Sequence, residues 1–257
     1  MNNKCVVYTA LFGDYDFLID PIDDFEDCDF ICFTNQRDLK SNIWKIIIVD
    51  DIELTNNLIN RKYKMLPHKY LSKYQFSLYL DTNIYLKGNP NLLIKKYLKH
   101  SDLIMPRHIW RTCVYEEAFQ CIKVGKSSYL KTSKQMKKYK KCGFPRNYGL
   151  SENNIILRRH NDPLLIKLME EWWEEINKET QRDQLSFAFL LWKNSRAFTY
   201  MDESSRVSNG YFEWFCHKQN NRITLLEKIK EKFYLRRMRR ICSWLYSLKY
   251  TDKSDRP

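Results

Sequence analysis

The chain has 257 residues, and Lys plus Arg exceed Asp plus Glu by 44 − 31 = 13; that length suits one large α/β domain or two small ones, and the charge implies an anionic partner such as nucleic acid, nucleotide or an anionic membrane surface. No stretch approaches the ~20 consecutive apolar residues that a membrane-spanning helix needs. The apolar run before Gly13-Asp14 is too short for a signal peptide, and eight cysteines without Cys-x-x-Cys or finger-like spacing read as reduced, mostly buried thiols of a cytosolic protein.

Residues 5–12 form a β-rich run closed by the turn Gly13-Asp14-Tyr15-Asp16, which places Tyr15 and Asp16 at the carboxyl end of a first strand. No Gly-x-Gly-x-x-Gly or P-loop follows, which argues against dinucleotide and ATPase folds. Second and third strands are expected at Asp29–Asn35 and Trp44–Val49, the latter ended by Asp50-Asp51. Asn60–His68 reads as a helix broken or restarted at Pro67. Arg61 and Lys64 share its face at i and i+3, a spacing that suits two cations aimed at one diphosphate and equally a solvated basic face.

The fourth strand is Phe76-Ser77-Leu78-Tyr79-Leu80, which ends abruptly in Asp81-Thr82-Asn83. In an open α/β sheet, ligands collect outside the carboxyl ends of the strands, so Asp81 and Asn83 would stand where a ligand arrives. Two oxygen-bearing side chains at i and i+2 can share one hard cation, Mg²⁺ or Mn²⁺, with phosphate and water completing its shell. The same tripeptide could simply cap the strand with an Asx-turn.

A further strand at Asp102–Pro106 delivers Arg107, His108 and Arg111 to its end. Residues 112–123 read as an amphipathic helix, and Lys134–Lys141 as a solvated helix face. Gly149–His160 reads as loop, then strand, then a basic turn. Asp162-Pro163 opens the clearest helix: a good N-cap, a Pro at the first helical position, and Leu165, Leu168, Met169, Trp172 and Ile176 as an apolar stripe. A second helix follows with Asp183 as its expected N-cap, which clusters Arg182, Asp183 and Gln184 at a helix mouth. Phe198–Asp202 looks like a late strand. His217, after an aromatic run, could be core, surface or the extra metal ligand that Asp81 and Asn83 lack. Between Leu225 and Tyr250 eight Lys or Arg face two Glu, so that segment holds 6 of the 13 net charges. Its basic amphipathic helical period, with Trp244, Tyr246 and Tyr250 near the end, suits an interfacial anchor, or else a helix packed on its own domain or a second subunit.

Taken together, Val7–Asp16, Phe30–Asn35, Arg61–His68, Leu78–Asn83 and Arg182–Phe187 resemble one known set. They are similar to the bacterial and plant glycosyltransferase-like family long carried as a domain of unknown function, whose plant members include a protein of seed mucilage synthesis. The resemblance runs from about residue 5 to about residue 200 with its motifs in order; His108-x-x-Arg111 with Tyr115-Glu116-Glu117-Ala118, and Gly149–Glu152 before Arg158–Asn161, also look like its signatures.

The resemblance implies an α/β GT-A glycosyltransferase fold over residues 1–222, with a basic amphipathic helical tail at 223–250 and a disordered end at 251–257. It implies a nucleotide-diphosphate-sugar donor and a glycan or lipid-linked glycan acceptor. Lys64, seventeen residues before Asp81, is similar to the lysine that meets the diphosphate in glycogenin-like transferases. Asn83 departs from Asp-x-Asp, which puts the strength of Mn²⁺ or Mg²⁺ dependence in question.

The expected division of labour follows. Asp81, Asn83 and His217 hold the ion; Tyr8, Thr9 and Asp16 contact base and ribose; Arg61, Lys64, His108, Arg111, Arg182 and Gln184 complete the donor site. Asp183 faces donor or acceptor sugar, as a base in an inverting reaction or as an orienting group in a retaining one, and Glu152 is the second candidate carboxylate. The tail would dock the enzyme at the inner face of an anionic membrane from the cytoplasm. The rival reading is a membrane- or nucleic-acid-binding protein without transferase activity. Strand-end carboxylates would repel nucleic-acid phosphates, and no recognisable module carries the basic residues, so no nucleic-acid partner is expected.

Overall fold

In a computed structural model of the chain, residues 5–50 and 53–217 are described. The basic tail and the C-terminal residues discussed above lie outside them. No helix among the described residues is long and apolar enough to cross a membrane.

The strands are β1 (Cys5–Leu11), β2 (Cys28–Thr34), β3 (Lys45–Ile48), β4 (Phe76–Leu80), β5 (Ile84–Leu86), β6 (Leu103–Pro106), β7 (Ile155–Arg158), β8 (Tyr200–Met201) and β9 (Phe212–Trp214). The helices are α1 (Asn56–Met65), α2 (Pro67–Tyr70), α3 (Pro90–Tyr97), α4 (Val114–Lys123), α5 (Tyr129–Lys141), α6 (Pro163–Lys178) and α7 (Asp183–Lys193). A seven-stranded sheet has the order β3-β2-β1-β4-β7-β6-β8, and β5 pairs with β9 in a small second sheet. β1 runs parallel to β2 and β4, β2 to β3, and β6 to β8, while β7 lies antiparallel to both β4 and β6. Within that sheet β7 is thus the reversed strand. The α/β expectation is met.

Alternation along β1 explains the two cores. Val6, Tyr8 and Ala10 face one side, packed with residues of α1, α4, α6 and α7, while Cys5, Val7 and Leu11 face the other with Leu93 and Ile94 of α3. A strand covered on both faces needs continuous hydrophobicity, and β1 is buried along its whole length. Pro67 separates α1 from α2 as expected. Gly13 turns the chain out of β1 at φ +71°, a left-handed conformation that favours glycine, and a Cβ there would push aside the tip of the Asn56 side chain, 2.5 Å away.

At the start of α6, the Asp162 carboxylate accepts from the Leu164 and Leu165 amides at 2.9 and 3.1 Å, with Pro163 at the first helical position. The stripe Leu165, Leu168, Met169, Trp172 and Ile176 is buried as its spacing predicts. Asp183 is the first residue of α7 and Arg182 holds the cap position, so Asp183 does not play the N-cap part expected of it. Its carboxylate turns instead to other partners. The indole of Trp172 fixes this end: it is fully buried and donates to the Asp183 carbonyl at 3.3 Å and to Ser186 Oγ at 3.1 Å.

Trp172→Ala is expected to cost about 3–5 kcal/mol, the range for deleting a large buried aromatic. Urea unfolding followed by circular dichroism reads it as a lower midpoint at unchanged slope. A cost below ~1 kcal/mol would show that the α6–α7 contact does not carry the packing described.

Candidate functional site

The sheet directions gather the site at one rim. Asp81 follows the carboxyl end of β4, and its amide donates to the Asn154 carbonyl at 2.8 Å, just before the reversed β7 begins. The loop after β6 is stapled to the same segment: the His108 amide donates to Leu150 O and the Glu152 amide to Pro106 O, both at 2.9 Å. The loop after β1 closes the other side. Asp16, Asp81, His108 and Glu152 thus come from four stretches that share one edge.

The centre of the site is Lys64, whose side chain is 1% exposed. Its ammonium donates to Asp183 Oδ2 at 2.9 Å and to Asp81 Oδ1 at 3.2 Å. The phenol of Tyr79 donates to the same Asp81 oxygen at 2.9 Å. Burial drives the Tyr79 phenol well above its usual range, with the Asp81 charge adding to it, so it stays a donor. Arg61 Nε lies 3.9 Å from Asp183 Oδ2. Burial opposes the charged form of Asp183, but Arg61, Lys64 and Arg182 outweigh it and hold the carboxyl well below the usual carboxylate range. Three cations therefore converge on two carboxylates, and the buried Nε atoms of Arg61 and Arg182 have no hydrogen-bond partner.

A second group stands beside it. The antiparallel pairing of β9 with β5 carries the chain past Asn83, whose carbonyl accepts from the Phe215 amide at 2.9 Å, and so delivers His217. His217 Nδ1 lies 2.6 Å from Asp16 Oδ2, which also accepts from the Thr82 hydroxyl at 3.2 Å. Tyr15, on the loop after β1, places its ring 4.9 Å from that of His217. A histidine whose Nδ1–H is committed to a carboxylate presents Nε2 as its free lone pair, the arrangement that orients metal-binding imidazoles. Here Nε2 faces Asn83 Nδ2 at 3.4 Å, and that amide nitrogen donates to the Phe215 carbonyl at 2.9 Å. Among the described residues no three His, Cys, Asp or Glu side chains are grouped to hold a metal. Asp81 Oδ1 is taken by Lys64 and Tyr79 and the Asn83 amide nitrogen by His217 and Phe215, so the oxygens Asp81 Oδ2 and Asn83 Oδ1, with the imidazole, are what would be offered to a hard divalent cation.

The third group is acidic and buried. Glu152 accepts from Arg206 Nε at 3.1 Å, and burial raises its carboxyl above the ordinary value despite that arginine. Glu117, also buried, accepts from Arg111 Nε at 2.5 Å and stands 3.6 Å from His108 Nε2. His108 Nδ1 accepts the amide protons of Trp110 and Arg111 at 3.2 and 3.1 Å, which places its own proton on Nε2, toward Glu117. Burial lowers the His108 pKa against the pull of Glu117. Gln184 Nε2 donates to the Ser151 carbonyl at 3.4 Å, which links this group to the start of α7.

Most of the residues expected to act together are thus brought together. Tyr8 and Thr9 are corrections. Tyr8 is fully buried, donates to the Lys64 carbonyl at 3.0 Å and accepts from Arg158, so no surface is left for a base or ribose. The reason is position: Tyr8 and Thr9 lie within β1, before its carboxyl end. Thr9 Oγ1 is buried without a partner. Arg111 turns its guanidinium to Glu117, a carboxylate that reading from sequence passed over although it stands in the quoted Tyr115–Ala118 signature. Arg206 had no signal: it is one basic residue in a polar loop.

The sequence profile of the TOD1/MUCI70 family, described as a glycosyltransferase-like domain, matches residues 32–207. The chain is 27% identical over 160 residues to an Arabidopsis thaliana protein described as "Probable hexosyltransferase MUCI70", a match spanning 58% of this chain and 27% of that protein. A solved structure described as "WbbM bifunctional glycosytransferase apo structure" superposes with a TM-score of 0.48 at 10% identity, over 77% of this chain and 39% of that one.

The depressed Asp183 carboxyl fixes a pH dependence. Its contribution to stability is present above the unfolded carboxylate value of about 3.9 and is lost as pH falls toward the lower folded value. Wild type should therefore begin to lose stability as pH falls below about 5, roughly one unit above the unfolded value, and keep losing it as pH approaches the lower folded value. Asp183→Asn, already lacking the charge, should lose less over that window, so that the two unfolding curves converge in acid. Parallel curves would show that Asp183 is not held ionised by its neighbours.

Proposed function

The chain belongs to the TOD1/MUCI70 family, glycosyltransferase-like domain, and on that premise we propose that it is a GT-A-type glycosyltransferase, moving a hexosyl or related sugar from a nucleotide-diphosphate-sugar to a hydroxyl of a glycan or lipid-linked glycan. One observation carries the reading: Arg61, Lys64 and Arg182 converge on a strand-end site where two carboxylates, Asp81 and Asp183, face three cations. Such an excess of fixed donors matches a diphosphate whose negative charge grows as the sugar leaves, and it is set before the reaction begins.

Asp183 is read as the residue that holds Lys64 and Arg61 in line and orients a sugar hydroxyl. A carboxylate kept so far below neutrality accepts a proton poorly, which argues against its service as a base. Glu152, raised by burial, is the better proton acceptor for the incoming hydroxyl. The loop Gly13–Asp16 is left to receive base and ribose. A Mg²⁺ or Mn²⁺ ion bound through Asp81, Asn83 and His217 would supply Lewis-acid neutralisation of the departing diphosphate. The segment 225–250 is assigned to an anionic membrane surface at the cytoplasmic side, on its charge and period alone.

The test is a panel of uridine and guanosine diphosphate sugars scored for nucleoside diphosphate release, with Mn²⁺ and with EDTA. Wild type should turn over one donor class, and Lys64→Ala should lower kcat/KM by about 10²-fold, the loss typical of one preorganised donor. Silence across the panel from folded protein, or full activity in Lys64→Ala, would sink the assignment. For the tail, the full chain should co-sediment with phosphatidylserine vesicles at low salt, and charge reversal of Lys232, Arg236, Arg239 and Arg240 to Glu should abolish it; equal binding by both would remove the membrane role.

A further inference from the structure

Trp110 is 66% exposed, and its neighbour Ile109 is 40% exposed. A large indole left in water is unusual unless something covers it, and here the backbone beneath it is held from several sides. The Trp110 amide donates to His108 Nδ1 at 3.2 Å, as the Arg111 amide does at 3.1 Å. The His108 ring meets the indole edge-on at 5.9 Å. The Ile109 backbone amide lies toward the Glu152 carboxylate and favours its charged form, and the Arg107 backbone pairs with that of Ser151. Arg111, on the far side, is clamped to buried Glu117. The loop is stapled to the segment that carries Glu152, so the exposed ring is preorganised within a few residues of that carboxylate.

We propose that Trp110 is the platform on which a sugar ring of the glycan acceptor stacks, set so that the acceptor hydroxyl meets Glu152. The C–H bonds on one face of a pyranose carry partial positive charge and meet the negative face of the indole, while its hydroxyls need donors and acceptors at the ring's edge. A rigid ring held before the ligand arrives loses little entropy on binding, which separates this surface from a flexible apolar loop. His108, Glu117 and Arg111 are positioning residues in this scheme: they hold the platform and do not touch the sugar. The inference rests on the transferase reading for the identity of the occupant.

The experiment uses the full chain and reads binding apart from turnover. Saturation-transfer difference NMR with gluco-, galacto-, manno-, xylo- and N-acetylglucosamine oligosaccharides would be recorded for wild type, Trp110→Phe and Trp110→Ala. At least one oligosaccharide should bind wild type. Trp110→Ala should weaken it by about tenfold, the upper end of what one aromatic contact supplies, and Trp110→Phe should recover much of the loss. Nucleoside diphosphate release by water, recorded on the same preparations, reads the donor side of the site apart from sugar binding.

Sugar binding that depends on Trp110 without any donor turnover would leave the platform standing and remove the transferase reading. Donor turnover with sugar binding and acceptor transfer unchanged in Trp110→Ala would overturn the platform and leave the transferase reading intact. Loss of vesicle binding in Trp110→Ala without any effect on oligosaccharides would overturn it in favour of a lipid surface.

Discussion

The structure depends on the burial of one ammonium group. Lys64 lies on α1 with its side chain almost wholly out of water, and taking a charge there costs several kcal/mol unless partners replace its hydration. The partners come from two other elements: Asp81 from the end of β4 and Asp183 from the first residue of α7. Three segments distant in sequence are therefore held in one geometry by a charge that none of them can leave unpaired. The backbone of Lys64 is held as well, since its carbonyl accepts from Tyr8, which in turn accepts from the buried guanidinium of Arg158. Burial lowers the Arg158 pKa, and among the described residues no carboxylate is paired with it.

Topology decides what else can join. Because β7 runs against its neighbours, the residues that precede it reach the same rim as those that follow β4 and β6, which is how Glu152 and Asn153 come to stand near Asp81. The small β5–β9 sheet does the corresponding work for His217, which is brought to Asn83 across 134 residues. A parallel sheet alone would have supplied strand-end residues of one kind. One reversed strand and one added antiparallel pair widen that rim into a site with a cationic cluster, a histidine–carboxylate pair and a buried acidic portion.

This arrangement explains what could and could not be read from the chain. The long, strongly periodic elements were legible: β1, β2, β4, the break at Pro67, and α6 with its cap. So were the residues that combine charge with a strand end or helix mouth, because Asp81, Asn83, Arg182 and Asp183 sit where local pattern predicts a polar rim. β5 has three residues, too few for a period to show. Tyr8 was misplaced because residue type near a strand end does not reveal which positions still lie inside the sheet. Glu117 and Arg206 were invisible as partners for a related reason: Glu117 is one acid among others on an amphipathic helix, and only the fold sets it against Arg111. The tail's period cannot be weighed in this way, since it lies outside the described residues.

The two site carboxylates that sequence could only rank are separated by their surroundings. Asp183 and Glu152 are both buried, so desolvation pushes both upward, and what differs is the number of cations each faces. Asp183 has Arg61, Lys64 and Arg182 against it and is driven below its ordinary range; Glu152 has Arg206, with the charge of Glu117 acting the other way, and ends above it. Environments that push two acids apart assign them different chemistry. A group that stays charged under all working conditions can orient and balance cations, and a group nearer neutrality can take up a proton. The cations that pair with Asp183 therefore also keep it ionised, while Glu152, across the rim beside Arg206, is held above its ordinary value by burial.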